Sequence, residues 1–374
     1  MPNLFPGIVG QLRATEGLTR SLSSGRLSPS LAFHGPAGVG KLTTAVALCR
    51  VLLCGSSEER PCGHCRACRR IDERALLHPD VRVVFPEKLS DFEKGEAAPE
   101  GSAATDLQEA QAEAVRNPVW SVLMDRIRQA ISFLHRRPSE GPRAILVVDQ
   151  AHRMPAEASN ALLKTLEEPP AHALLVLVTS SYHALLPTIR SRCQAVPFQM
   201  VPRSAIASHL AAHRSIEPQE AELRAGLSGG RIGAALDLDL AEFSRRREAL
   251  LGLVEELLRR GDAGIAVARA ESIARGGESL EGDLEILMTL QRDLLVCGAA
   301  PQRPGGDSLL INLDLASRLA ELAERFAARA PEAIEDLEAA IDAIRRKGNR
   351  QLLVEDVLLG LLPDPAGPPS RPAA

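Results

Sequence analysis

The stretch HGPAGVGKLTT, residues 34–44, carries most of a phosphate-binding pattern, G-x-x-x-x-G-K-[ST]. Gly35, Gly40 and Lys41 take its fixed positions, with Gly38 between them. Backbone N–H groups of such a loop point inward, and the helix that follows adds positive potential, so phosphate is welcome. Lys41 would reach the β and γ phosphates. Leu42 stands where a hydroxyl should ligate Mg²⁺. Thr43 has a hydroxyl, but successive residues on a helix point about 100° apart. A second acid-bearing position follows at Asp149, which ends the apolar run AILVVD where an ATPase places its metal-assisting acid. The next residue is Gln150, whose amide cannot serve as a base. Hydrolysis therefore lacks two parts. Nucleotide binding and a vestigial loop both remain open.

Cysteines form the other constellation. Cys54, Cys62, Cys65 and Cys68 read C-x7-C-x2-C-x2-C. Four thiolates within fifteen positions suit tetrahedral Zn²⁺, and a closed four-cysteine site leaves no coordination position for catalysis. His64 lies inside the cluster as an alternative donor. An iron–sulfur cluster would normally show a different spacing. A DNA-reading finger would need a recognition helix that GHCRACRR is too short to supply. Cys49, Cys193 and Cys297 are isolated and expected to be buried.

These residues need an α/β scaffold. Near-continuous apolar runs (LAFHGP at 31–36, VRVVFP at 81–86, AILVVDQ at 144–150, ALLVLVTS at 173–180) predict parallel strands covered on both faces. KLTTAVALCRVLLC predicts the helix after the phosphate loop. Residues 87–117 are acidic and poor in large apolar groups, which predicts a mobile insertion. Short helical patterns over 201–240 are broken by Pro and Gly. From 241 to 363 the pattern is helical throughout. Leu315, Leu319, Leu322 and Phe326 fall on one helical face, as do Ile334, Leu337, Ile341 and Ile344. The tail, residues 364–374, is Pro-rich and predicted to be disordered.

A net charge of −4 gives no global attraction to nucleic acid, and 3% aromatics argue against a base-stacking surface. No apolar run is long enough to span a bilayer, and residues 1–11 lack a secretory pattern, so a cytoplasmic location without membrane contact is expected.

Residues 147–194, from VVDQAHRM to TIRSRCQ, resemble the bacterial clamp-loader subunits of DNA polymerase III, an AAA+ family. The run Asn160 to Pro170 (NALLKTLEEPP) and the triplet Ser191-Arg192-Cys193 carry the likeness. IVGQ at 8–11, the phosphate loop, the cysteine module and NRQLLVEDVLLGLL at 349–362 extend it over nearly the whole chain. The resemblance implies an α/β AAA+ P-loop core with a parallel sheet over 1–200, holding the zinc module (54–68) and the insertion. It also implies a small helical lid over 201–240 and an all-α collar domain over 241–363.

It further implies that Arg192 acts as an arginine finger in a neighbouring subunit's ATP site. Arg231, in LSGGRIGAAL, matches a lid sensor, though a surface arginine at a helix start reads the same way. Thr179 or Ser180 matches the other sensor. The implied partners are gamma/tau and delta subunits in a hetero-oligomeric ring, with the sliding clamp and primed DNA met through the assembled complex. The implied cofactor is structural zinc; ATP with Mg²⁺ stays open. Within the family the altered nucleotide site fits a stator better than a working ATPase. The alternatives are an ATPase rescued by Thr43 and a zinc-dependent nucleic-acid module.

Overall fold

Five segments, four of them the predicted apolar runs, pair into one parallel sheet. β1 (Ser30–His34), β2 (Val81–Val84), β3 (Ala144–Val148), β4 (Ala173–Thr179) and β5 (Gln194–Pro197) lie in the order β2-β3-β4-β1-β5. Every pairing is parallel. The computed structural model describes residues 4–56, 59–71, 77–88, 107–117, 119–214, 216–275, 280–299, 309–345 and 348–363. Each strand end falls within two residues of the run that predicts it. β5 is the exception: QAVP is short and three of its four residues are exposed, so it carries no periodic signal.

The chain divides into two compact units: residues 1–209 with 230–234, and residues 210–229 with 235–374. Residues 201–240, expected as a separate lid, are shared between them.

In the first unit the central strands alternate sides, as period-2 geometry requires. Ile145 and Val147 of β3 join one apolar layer with α1 (Leu12–Ser23) and α2 (Lys41–Leu53). Ala144, Leu146 and Val148 join the opposite layer. That layer is covered by α5 (Met124–His135) and α6 (Ala156–Glu167). The result is the three-layer α/β arrangement of a P-loop core. The cysteine module carries a single short helix, α3 (Arg66–Arg70).

Two parts of the expected insertion have regular structure. Glu87 and Ser121 exchange backbone hydrogen bonds as an antiparallel bridge. Residues Leu107–Arg116 form a helix, α4. Small apolar residues suffice here, because Leu107 and Ala114 sit on one face and are both buried. Residues 89–106 of that insertion and the tail 364–374 lie outside the described residues.

The second half of the chain is helical. It contains the last turns of α8 (Arg203–Arg214), then α9 (Pro218–Leu227), and begins its long run after α10 (Ile232–Asp237). α11 (Leu240–Arg260) starts at Asp239, whose carboxylate accepts the Glu242 N–H, and stops at Gly261 with φ 62°. α12 (Ala263–Ala274), α13 (Leu280–Ala299), α14 (Ala316–Phe326), α15 (Ala330–Arg345) and α16 (Arg350–Gly360) follow. Leu319, Leu337 and Ile341 fill their shared core as the spacing predicts, while Ile334 is only half-buried beside the buried Ala333. Asp293 is fully buried there and accepts N–H bonds from Ile311 and Asn312. Among the described residues, no helix is long and apolar enough to cross a membrane.

Candidate functional site

The phosphate loop joins β1 to α2. Gly35, Gly38 and Gly40 have φ of 145°, 73° and 92°, values that favour glycine. At Gly35 the requirement is absolute, since a Cβ would lie 2.2 Å from the Phe198 carbonyl oxygen. Lys41 is 6% exposed. Its ammonium donates to Gly35 O at 2.7 Å and also to Pro36 O. Burial lowers the Lys41 pKa to about 8, against the pull of Asp149. Leu42 is buried in the same apolar layer as Phe33 and Val46. The helix thus sends position 42 into the core. Thr43 is half-buried one position further on.

Asp149 follows β3 and is 1% exposed. Burial pushes its carboxyl up to about 6, opposed by the Gln150 N–H, Lys41, Gln111 and Arg153. Gln111 of α4 donates from Nε2 to Asp149 Oδ2 at 3.3 Å. Gln150 adopts a left-handed backbone, φ 47°. Its Oε1 accepts from Arg153 Nη1 at 2.7 Å. The same Nη1 donates to Ala114 O at 2.6 Å, and Nη2 donates to Asn117 O. Mg²⁺ needs several oxygens around an open octahedral position. Here one carboxylate is buried under an amide, and the residue at 42 is a core leucine. These residues do not fit a catalytic metal.

Two further positions border the loop. Gly233 N–H donates to Gly38 O at 2.9 Å, and a Cβ at Gly38 would lie 3.3 Å from Arg231 Cβ. Arg231 therefore stands beside the loop. Thr179, at the end of β4, is 1% exposed. Its Oγ1 shares a hydrogen bond with His152 Nδ1 at 3.1 Å and accepts the Ser181 N–H at 3.0 Å. Ser180 is exposed. His34 stacks on Tyr182 with ring centroids 4.4 Å apart. Burial, followed by Lys41 and His183, holds the His34 pKa below its usual value.

Arg192 lies between α7 (Pro187–Arg190) and β5. It is exposed. It donates to Glu167 Oε1 at 2.6 Å and to Thr188 O at 2.9 Å, not to the phosphate loop. Cys193 points the other way, into the core, and burial pushes its thiol up to about 12. The triplet thus works as an anchor with an outward arginine.

The four module cysteines converge. Their sulfurs all lie within 4.8 Å of one another. Cys54 and Cys65 Sγ are 4.0 Å apart, close to the ~3.8 Å edge of a tetrahedral Zn–S₄ site. The N–H groups of Cys62, Cys65 and Cys68 each donate to a preceding cysteine sulfur at 3.4 Å. Burial disfavours the Cys65 thiolate, but N–H donors from Cys68 and Gly55 outweigh it and bring the thiol down to about 6. The donor set fits Zn²⁺. His64 is exposed and turned to Cys62 O at 2.8 Å, outside the cluster. α2 has 13 residues between Lys41 and Cys54, so the module sits about 20 Å from the loop at 1.5 Å per residue. Arg50 of α2 holds it through Ile71 O at 2.9 and 2.7 Å.

The sequence family described as "DNA polymerase III, delta subunit" matches residues 10–202. The chain belongs to this family. Among similar proteins, the DNA polymerase III subunit delta' of Bacillus subtilis is 29% identical over 288 residues, covering 76% of this chain and 77% of that one. The Escherichia coli subunit delta' is 29% identical over 352 residues, covering 92% of each. Subunit gamma/tau of Mycobacterium tuberculosis is 28% identical over 385 aligned positions, covering 96% of this chain and 61% of that one. The DNA polymerase III family match spans the phosphate loop, the cysteine module, Asp149 and Arg192 alike.

Within that frame the structure brings Lys41, Asp149 and Arg231 to one loop and leaves Arg192 outside it. Gln111, Arg153 and His152 are the contacts that sequence reading misses. One signal was available for Gln111: it is the polar member of a helical face otherwise made by Leu107, Ala110 and Ala114.

Proposed function

We propose that this chain is a delta-prime subunit of a DNA polymerase III clamp loader, a stator that contributes chemistry to its neighbour. Leu42 carries the reading: its side chain is spent in the apolar core, so the loop has no hydroxyl for a metal. Gln150, held on Arg153, supports it by offering no base.

In this reading the chain has three domains, an AAA+ core, a helical lid over 201–240 and a collar over 241–363. It assembles in the cytoplasm with gamma/tau and delta subunits into a ring. Arg192 projects toward the ATP of the adjacent gamma/tau subunit. A planar guanidinium there stabilises the charge that develops on the transferring phosphoryl group. ATP-driven rearrangement of the ring then opens the sliding clamp on primed DNA. Arg231 and Thr179 keep the positions of sensors without a reaction to report. Cys54, Cys62, Cys65 and Cys68 would hold Zn²⁺, which would cross-link the module at the far end of α2 and catalyse nothing.

A working gamma/tau-like ATPase is the second reading, favoured by nearly equal identity to gamma/tau relatives. Steady-state phosphate release by the isolated chain separates the two. The stator reading expects no turnover above background. Rapid turnover abolished by Lys41→Ala would overturn it.

A further inference from the structure

The groups that would receive a nucleotide and its metal are already taken by this chain's own atoms. On the phosphate side, the Lys41 ammonium donates to Gly35 O and Pro36 O. On the metal side, the Gln111 amide donates to Asp149. The second contact comes from α4, which nothing in the phosphate-loop pattern requires.

α4 is fastened to this corner by one face. Leu107, Ala110, Gln111 and Ala114 fall at i, i+3, i+4 and i+7, the spacing of a single helical stripe. Leu107 and Ala110 join the apolar layer that contains Leu42. Ala114 is fully buried. Gln111 is the polar residue on that stripe, and its amide reaches the buried acid. Arg153 closes the other end by donating to Ala114 O and Asn117 O while it grips Gln150. α4 is thus tied to both residues of the Asp149-Gln150 corner.

We propose that α4 is an intramolecular plug of the nucleotide site: Gln111 caps the Asp149 carboxylate, and a nucleoside triphosphate can enter the loop only when α4 lifts away. This rests on the stator reading in one respect, that the loop is not a working ATPase site. The tests below are separable from it.

The experiment is equilibrium titration of the full chain with a fluorescent ATP analogue and Mg²⁺. Three forms are compared: wild type, Gln111→Ala, and Gln111→Met, which keeps the volume without the donor. Melting curves verify that each is folded. Both variants are expected to bind roughly five- to tenfold more tightly than wild type, the worth of one ordinary protein hydrogen bond. The gain should vanish when Lys41→Ala is added, which places it at the loop. Hydrogen exchange of a binding variant should show residues 107–116 losing protection as nucleotide is added. Affinities within about twofold of wild type in both variants would overturn the plug, as would bound nucleotide with α4 still protected. Neither result touches the stator reading, which stands or falls on turnover and on Arg192.

Discussion

Arg192 donates from Nη2 to Glu167 Oε1 at 2.6 Å, joining the outward arginine of one loop to the last residue of α6. The pair is solvent-accessible on both sides, with 34% and 50% of the side chains exposed. Exposed pairs of this kind contribute about 0–1 kcal/mol. A polyphosphate offers a guanidinium far more charge than one carboxylate does. Arg192 is therefore held in place cheaply and released easily. Glu167→Gln should leave urea-unfolding stability within about 0.5 kcal/mol of wild type. ATPase of the reconstituted complex should not decrease. A marked loss of assembled activity would show that Glu167 does more than park the arginine.

Leu42→Thr restores the hydroxyl that the phosphate-loop pattern calls for. It also removes a buried side chain from the layer shared with Phe33 and Val46. Destabilisation of about 2–4 kcal/mol is expected from the lost packing and the buried hydroxyl. No hydrolysis should appear, because Gln150 is still an amide engaged by Arg153. Denaturant unfolding and phosphate release measure the two halves. Turnover in this single variant would mean that position 42 alone silences the site.

Why some of this was legible and some was not follows from the range of the interactions. β3 and β4 are buried on both faces, so nearly every residue in them is apolar and the run stands out. The phosphate loop and the cysteine module are local in sequence, and their geometry follows from spacing. α4 is different. Its stripe is made of one leucine and two alanines, too small to register beside an acidic neighbourhood, and its fastening comes from Arg153, about forty residues further along. Gln111 on Asp149 is likewise a contact across 38 residues. β5 leaves no signal, because an edge strand with one buried residue has no alternation to read. Leu42 could be seen as a misfit in the pattern, but only packing shows where its side chain goes.

Metal content tests the cysteine module. One zinc per chain is expected. Cys65→Ser, or a strong chelator, should lower the melting temperature by roughly 5–10 °C, because bound metal adds its binding energy to the folded state. Phosphate-loop geometry about 20 Å away should be little changed. Absence of zinc together with an unchanged melting temperature on chelation would remove the assignment.

Asp149 gives a pH signature. Its folded pKa of about 6 lies above the ordinary 3.8. Its favourable contribution is thus complete below the ordinary value and is lost as pH rises through 6. Asp149→Asn is neutral throughout and should gain on wild type by about 2–3 kcal/mol between pH 4 and pH 8. Urea unfolding of both proteins across that range measures the difference. A difference that stays flat, or runs the other way, would mean that the carboxyl is not strained by burial.

The central claim is that this chain does its chemistry in the neighbouring subunit. The direct measurement is ATP hydrolysis by a clamp loader reconstituted with wild type or with Arg192→Ala, with assembly verified by gel filtration. An arginine finger is worth about 10³–10⁵ in turnover at the site it serves, so that site should fall silent and the total rate should drop by its share. An intact complex that hydrolyses ATP at an unchanged rate would contradict the account.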